Sequence, residues 1–176
     1  MTTNRAAELA KNIKLLVLDV DGVLTDGGLY YDDDGMAMKR FHVQDGLGIK
    51  LAQAVGLEIG VITGLDQAPV TKRVRELGIE QYFSGHHKKI PPLEEMCDKV
   101  GIDPSEAAFM GDDWIDLGAM GRAGLALSVP NAVPEVLDMA DWIASRSGGH
   151  GAVREAISFI LAAQGRLDEA MQQWAG

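Results

Sequence analysis

Asp19 and Asp21 stand two residues apart at the end of the apolar run Leu15-Leu16-Val17-Leu18, and Gly22 follows them directly. On an extended chain, side chains two residues apart point to the same side, so the two carboxylates are held near each other. Like charges that close repel, which calls for a cation between them. Phosphoryl transfer is the chemistry such a pair suits. Asp19 can attack phosphorus as a carboxylate nucleophile and form an aspartyl-phosphate that water then hydrolyses. Asp21 can protonate the leaving alcohol and later deprotonate the attacking water. A carboxylate cannot approach a phosphate dianion unneutralised, so Mg²⁺ and a lysine are needed nearby. Asp before Gly is also ordinary turn chemistry, and the pair alone does not separate the two readings.

Later stretches offer the missing partners. Thr63-Gly64 follows the apolar run Leu57–Ile62 and precedes a helix expected from about Asp66 to Leu77. A hydroxyl, a glycine amide and a helix N-terminus cradle phosphate, although Thr-Gly after a strand is also common loop chemistry. Lys88 and Lys89 lie between a short strand, Gln81–Ser84, and a helix from Pro92 to Val100. Pro91 and Pro92 allow a helix to begin there and forbid its interior. One of the two lysines can stabilise the nucleophile and bind phosphate. His86 and His87 are adjacent and point different ways, and no third ligand is spaced to join them, so they read as loop residues. The run Glu106–Met110 ends in Gly111-Asp112-Asp113, with Asp116 close behind. Helix capping explains one of these three carboxylates but hardly all. Mg²⁺ prefers a few carboxylate oxygens with retained water and substrate phosphate, a set that Asp19, Asp112 and the main-chain carbonyl of Asp21 can provide.

The elements that must position these groups follow from the pattern. Leu15–Leu18 has no polar residue on either face, as a strand covered by helices on both sides requires. In open α/β sheets ligands sit at the carboxyl ends of the strands, where Asp19 and Asp21 fall. Residues 27–42 hold two extended runs about an Asp34-Gly35 turn, a β-hairpin projecting from the site end that serves as a lid, as a contact surface or as plain decoration. A helix from Asp45 to Val55 closes at Gly56. Strands at Gly124–Val129 and Asp141–Ala144 and helices at Pro134–Met139 and Ala152–Ala163 complete the alternation. The pattern predicts an α/β fold, a three-layer, doubly wound, mostly parallel sheet.

At 176 residues the chain has the size of a single domain, 1–176. A net charge of −10 argues against a nucleic-acid backbone as partner. The lone Cys97 excludes an internal disulfide and reads as a buried helix residue in a reducing compartment. The first residues have no apolar h-region and no run reaches membrane-spanning length, so the cytoplasm is expected.

In this order the pieces resemble the haloacid dehalogenase superfamily of phosphohydrolases. The matching residues are Asp19-Val20-Asp21-Gly22-Val23-Leu24-Thr25, then Thr63-Gly64, then Lys89, then Gly111-Asp112-Asp113 with Asp116. Within the superfamily the chain is most similar to the small capless 3-deoxy-D-manno-octulosonate 8-phosphate phosphatases of lipopolysaccharide precursor synthesis. That likeness includes Asp45-Gly46-Leu47-Gly48, Ser128-Val129-Pro130-Asn131-Ala132 and Gly148-Gly149-His150-Gly151. The resemblance implies Asp19 as nucleophile, Asp21 as acid and base, Thr63, Gly64 and Lys89 as phosphate ligands, and Asp19, Asp21 and Asp112 as Mg²⁺ ligands, with Asp113 and Asp116 in support. It also implies no cap domain and a homotetramer in which the hairpin at 27–42 makes much of the contact. In such proteins the C-terminal stretch 165–176 reaches toward a neighbour's site.

Two departures bear on substrate. Thr63-Gly64-Leu65 stands where the family typically has Thr-Gly-Arg, which puts a cationic contact to the acidic sugar in question. His87-Lys88-Lys89 stands where it often has Lys-Asp-Lys. A nine-carbon sialic-type acid 9-phosphate is the alternative substrate. An idle regulatory relative and a receiver-type signalling module are the rival classes. Asp21 and the late Gly-Asp-Asp-x-x-Asp speak against a receiver.

Overall fold

The computed structural model describes residues 2–173. A helix that the sequence pattern did not announce, α1 (Thr2–Ala10), leads into β1 (Leu15–Leu18), whose residues are all buried. Leu16 and Leu18 join one apolar cluster while Leu15 and Val17 join another on the opposite face. Alternation here divides side chains between two cores instead of between core and water, which is why the run is apolar throughout. Each such side chain taken from water contributes about 1.5–3 kcal/mol. The chain next makes one wide turn, Val20–Leu24, whose backbone is non-helical at Asp21 and Gly22. It then sends out the hairpin β2 (Tyr30–Asp32) and β3 (Gly35–Met38).

The remaining elements are α2 (Val43–Ala54), β4 (Glu58–Ile62), α3 (Ala68–Leu77), β5 (Gln81–Phe83), α4 (Ile90–Val100), β6 (Ala107–Gly111), α5 (Leu117–Arg122), β7 (Leu125–Ser128), α6 (Pro134–Met139), β8 (Trp142–Ile143), α7 (Ala152–Ala163) and α8 (Leu167–Gln172). The six-stranded sheet runs β5-β4-β1-β6-β7-β8, and every neighbouring pair is parallel. From β1 the chain winds outward through β4 and β5 on one side and β6, β7 and β8 on the other, so the topological switch point lies at β1, where ligands bind in such sheets. Helices α1, α2, α3 and α7 cover one face and α4, α5 and α6 the other. The three-layer, doubly wound α/β architecture is the one the pattern predicts, and the main sheet is wholly parallel. Cys97 is buried in α4, and burial pushes its thiol up to about 11.

One boundary differs from expectation with consequences for the site. Helix α4 starts at Ile90, not Pro92, because its first turn needs no backbone donors and so accepts both prolines. Lys89 therefore immediately precedes the helix. The C-terminal stretch turns back at Gly165 (φ +68°) and forms α8. The Arg166 amide donates to the Leu161 carbonyl at 2.8 Å, and Leu167 and the buried Ala170 pack on the first core. Residues 174–176 of that stretch lie outside the described residues. Among the described residues no helix is long and apolar enough to cross a membrane.

Candidate active site

Register sets the first contacts. Leu18 of β1 lies opposite Met110 of β6, and the Asp19 amide donates to the Met110 carbonyl at 3.0 Å. The two strands therefore end side by side and release Asp19 and Asp112 at the same edge. Lys89 enters from the start of α4 with its side chain fully buried. Its ammonium donates to Asp19 Oδ1 at 2.5 Å and to Asp116 Oδ1 at 2.6 Å. Asp116 is completely buried, and its other oxygen accepts from the amides of Asp112 at 2.9 Å and Asp113 at 3.2 Å. Its carboxylate thus ties the lysine to the loop after β6. Asp113 accepts from the Trp114 amide at 2.7 Å and caps the short turn that follows.

Two glycines make room for these carboxylates. A Cβ on Gly22 would lie 1.9 Å from Asp112 Oδ2, and one on Gly111 would lie 2.4 Å from Asp116 Cβ. Both glycines are required by close approach, and Gly22 (φ +86°) by turn geometry as well. Gly22 is held from behind: its carbonyl accepts from Asn131 Nδ2 at 3.0 Å, and Asn131 Oδ1 accepts from the Gly148 amide at 2.8 Å. The Thr25 hydroxyl donates to the Val20 carbonyl at 3.2 Å and closes the turn from within. At the other end of that last loop, Asp45 accepts from the amides of Gly151 and Arg154 and so fixes the start of α7.

One oxygen in the cluster is left over. Asp112 Oδ1 is buried and has no hydrogen-bond partner. An unpartnered buried acceptor is costly, and next to other carboxylates a bound cation relieves it. Burial, reinforced by Asp19, Asp116 and Asp113, pushes Asp112 up to about 8. Burial likewise raises Asp19 to about 7 against the pull of Lys89. Burial lowers Lys89, but Asp19 and Asp116 together outweigh it and hold the ammonium above the usual lysine range. Oxygens of Asp19, Asp112 and Asp116 lie within 4.8 Å of one another. Both oxygens of Asp116 are already engaged, so Asp19 and Asp112 are the carboxylates with capacity for a metal. Their all-oxygen chemistry fits a hard divalent ion such as Mg²⁺.

Asp19, Asp21, Gly64, Leu65, His87, Asp112, Asp113 and Ile115 line a cavity of about 200 Å³. Thr63 does not line it; the residue is fully buried at the end of β4, with its hydroxyl accepting from the Leu65 amide at 3.4 Å. His87, read as a plain loop residue, does face the cavity, while Lys88 does not. Lys39 carries no signal in the sequence: just beyond the hairpin's second strand, its buried side chain forms an ion pair with the partly exposed Asp21. A single lysine in an alternating hairpin carries no local signal of a distant partner. A larger hollow of about 970 Å³ lies at the amino ends of the strands, by Ile13, Lys14, Glu106 and Gly124, on the far side of the sheet from the carboxylates.

Residues 78–157 match the haloacid dehalogenase-like hydrolase family. The chain is 42% identical over 164 residues to the 3-deoxy-D-manno-octulosonate 8-phosphate phosphatase KdsC of Escherichia coli K12, covering 93% of this chain and 87% of the relative. Among solved structures it is similar to a haloacid dehalogenase superfamily hydrolase, subfamily III A, from Legionella pneumophila, with TM-score 0.95, 42% identity and coverage of 99% and 96%. It is also similar to the Moraxella catarrhalis 3-deoxy-D-manno-octulosonate 8-phosphate phosphatase in complex with magnesium, phosphate and KDO, with TM-score 0.93, 40% identity and coverage of 97% and 98%.

Proposed function

This chain belongs to the 3-deoxy-D-manno-octulosonate 8-phosphate phosphatase family of haloacid dehalogenase-like hydrolases, and from that membership we propose a Mg²⁺-dependent phosphomonoesterase that releases the free eight-carbon sugar acid and phosphate. The observation that carries this reading is the buried set in which Lys89 braces Asp19 beside an Asp112 oxygen without a partner. Lys89 orients Asp19 with one carboxylate oxygen toward phosphorus. That oxygen forms the new P–O bond as the ester P–O bond breaks, and Asp21 protonates the departing alkoxide. Water then attacks the aspartyl-phosphate, Asp21 takes its proton, and Asp19 is restored as phosphate leaves. Asp19, Asp112 and the Asp21 main-chain carbonyl would hold Mg²⁺, which would supply neutralisation of the phosphoryl oxygens' charge. Gly64 and the helix start beyond it supply backbone donors to phosphate, with Thr63 shaping that loop. Lys39 holds Asp21 toward the cavity through their ion pair.

The whole chain acts as one hydrolase domain in the cytoplasm, in keeping with a single buried thiol. It assembles as a homotetramer through the hairpin, where Leu29, Tyr31 and Met38 are exposed, with the exposed Val43 at the adjoining start of α2. The test is phosphate release, with and without Mg²⁺, from the eight-carbon acid 8-phosphate beside nine-carbon and simple sugar phosphates. Strong, Mg²⁺-dependent preference for the eight-carbon acid is expected. Preference for a nine-carbon acid 9-phosphate would overturn the substrate assignment, and no turnover at all would make the chain an idle relative.

A further inference from the structure

The cavity above Asp19 must take an anionic sugar, yet its walls are poor in donors. Asp19, Asp21, Asp112 and Asp113 present acceptors, Leu65 and Ile115 present hydrocarbon, and Gly64 has no side chain. Among the residues lining the cavity, His87 alone carries a side-chain N–H. Two contacts place it there. The neighbouring His86 amide donates to the Thr63 carbonyl at 3.0 Å, which ties this loop to the end of β4. The His87 Nδ1 also occupies the space beside Gly64, 3.1 Å from where a Cβ would stand, with the Ile115 methyl 3.7 Å from the same point. No described residue hydrogen-bonds the His87 ring, so its donor capacity is open to a ligand. Leu65 sits on the same wall, half-exposed, and offers only van der Waals contact.

We propose that His87 is the substrate-recognising residue of this site: its ring donates a hydrogen bond to the carboxylate of the sugar acid. The inference rests on the sugar-acid phosphatase reading above and deepens it. A carboxylate entering a cavity lined by four carboxylates needs such a donor, because an unpaired charge brought out of water is costly. A site that hydrogen-bonds a substrate group discriminates against analogues lacking it far more strongly than an apolar wall can. Lys88 does not line the cavity.

The test compares wild type, His87→Ala, His87→Gln and the double variant His87→Ala with Leu65→Arg on two substrates, the eight-carbon acid 8-phosphate and a neutral hexose 6-phosphate. His87→Ala is expected to raise KM for the acid about tenfold with kcat within about twofold, the loss of one hydrogen bond to a charged group. The ratio of kcat/KM for acid to kcat/KM for neutral ester falls by the same factor. His87→Gln, which keeps a donor, recovers part of the loss, and Leu65→Arg in the alanine background recovers most of it by placing a guanidinium on the same wall. An unchanged ratio in His87→Ala, or a fall in kcat with KM unmoved, overturns the assignment while leaving the phosphatase reading intact. If the wild type itself fails to turn over the acid, the phosphatase reading falls and His87's part falls with it.

Discussion

The carboxyl end of β1 and the hairpin that follows it are built on opposite terms. At the strand end, Asp19, Lys89 and Asp116 are buried, paired with one another and tied to backbone amides, and a glycine gives way wherever a carboxylate needs space. On the hairpin, Tyr31 is 67% exposed and Met38 61%, and the strand ladder pairs only with itself. The carboxylates and the lysine of the cluster are thus paired with one another within the chain, whereas the apolar side chains of the hairpin are open to solvent. Geometry that must hold to a few tenths of an ångström is over-determined by buried contacts, and the surface proposed to meet another subunit is left open.

The sharpest break in that comparison is Asp19→Asn. The shape is kept and the nucleophilic charge is removed, so phosphate release should fall by roughly a thousandfold or more. Removing one negative charge from the crowded cluster leaves the fold standing, which thermal unfolding will check. Near-normal turnover would take Asp19 out of the nucleophile's role. Asp116→Ala attacks the brace instead. It leaves the buried Lys89 ammonium with one partner and strands the amides of Asp112 and Asp113. Breaking a buried, hydrogen-bonded charge pair in this way costs about 3–5 kcal/mol. A shift in the urea midpoint corresponding to less than about 1 kcal/mol would mean that the brace is not structural.

Asp45→Ala separates structural support from chemistry. Its carboxylate accepts from the amides of Gly151 and Arg154 at the start of α7, at 3.3 Å and 2.8 Å. Loss of such a cap is expected to cost about 1–2 kcal/mol. Asp45 lines no part of the cavity, so kcat should stay within about twofold. A kcat loss on the scale of Asp19→Asn would place Asp45 in the reaction itself.

The same contrast explains what could be read in advance. The strand core and the order of the elements were legible because each rests on local pattern: the apolar run Leu15–Leu18, or Pro134–Met139 between two turns. The carboxylates were legible because they sit at strand ends, a place that sequence marks. The Lys39–Asp21 pair and the Asn131–Gly148–Gly22 relay were not, since each joins residues far apart in the chain and no spacing records them. For His87 the sequence shows only a poor metal ligand and a departure that bears on substrate; what places it on the cavity is the loop's anchorage at Thr63, a tertiary fact. Helix α1 and helix α8 escaped notice because each buries a narrow stripe, Ala6 and Ala10 in one and Ala170 in the other, that small side chains hardly advertise.

The smallest effect on the isolated chain is expected at the hairpin. Tyr31→Asp with Met38→Asp replaces two exposed apolar side chains, and because neither is buried the change in unfolding free energy should stay within about 0.5 kcal/mol. If these residues meet a second subunit, the same charges are driven into an apolar contact, where they cannot be hydrated, and the assembly should come apart. Sedimentation velocity will read the difference as a shift from tetramer toward smaller species at unchanged chain stability. A variant that sediments like the wild type would remove the hairpin from the interface, and a wild type that sediments as a monomer would remove the interface altogether. A large stability loss with no change in mass would instead mean that the hairpin supports its own chain, and the contrast between a braced site and an open surface would fail at its second term.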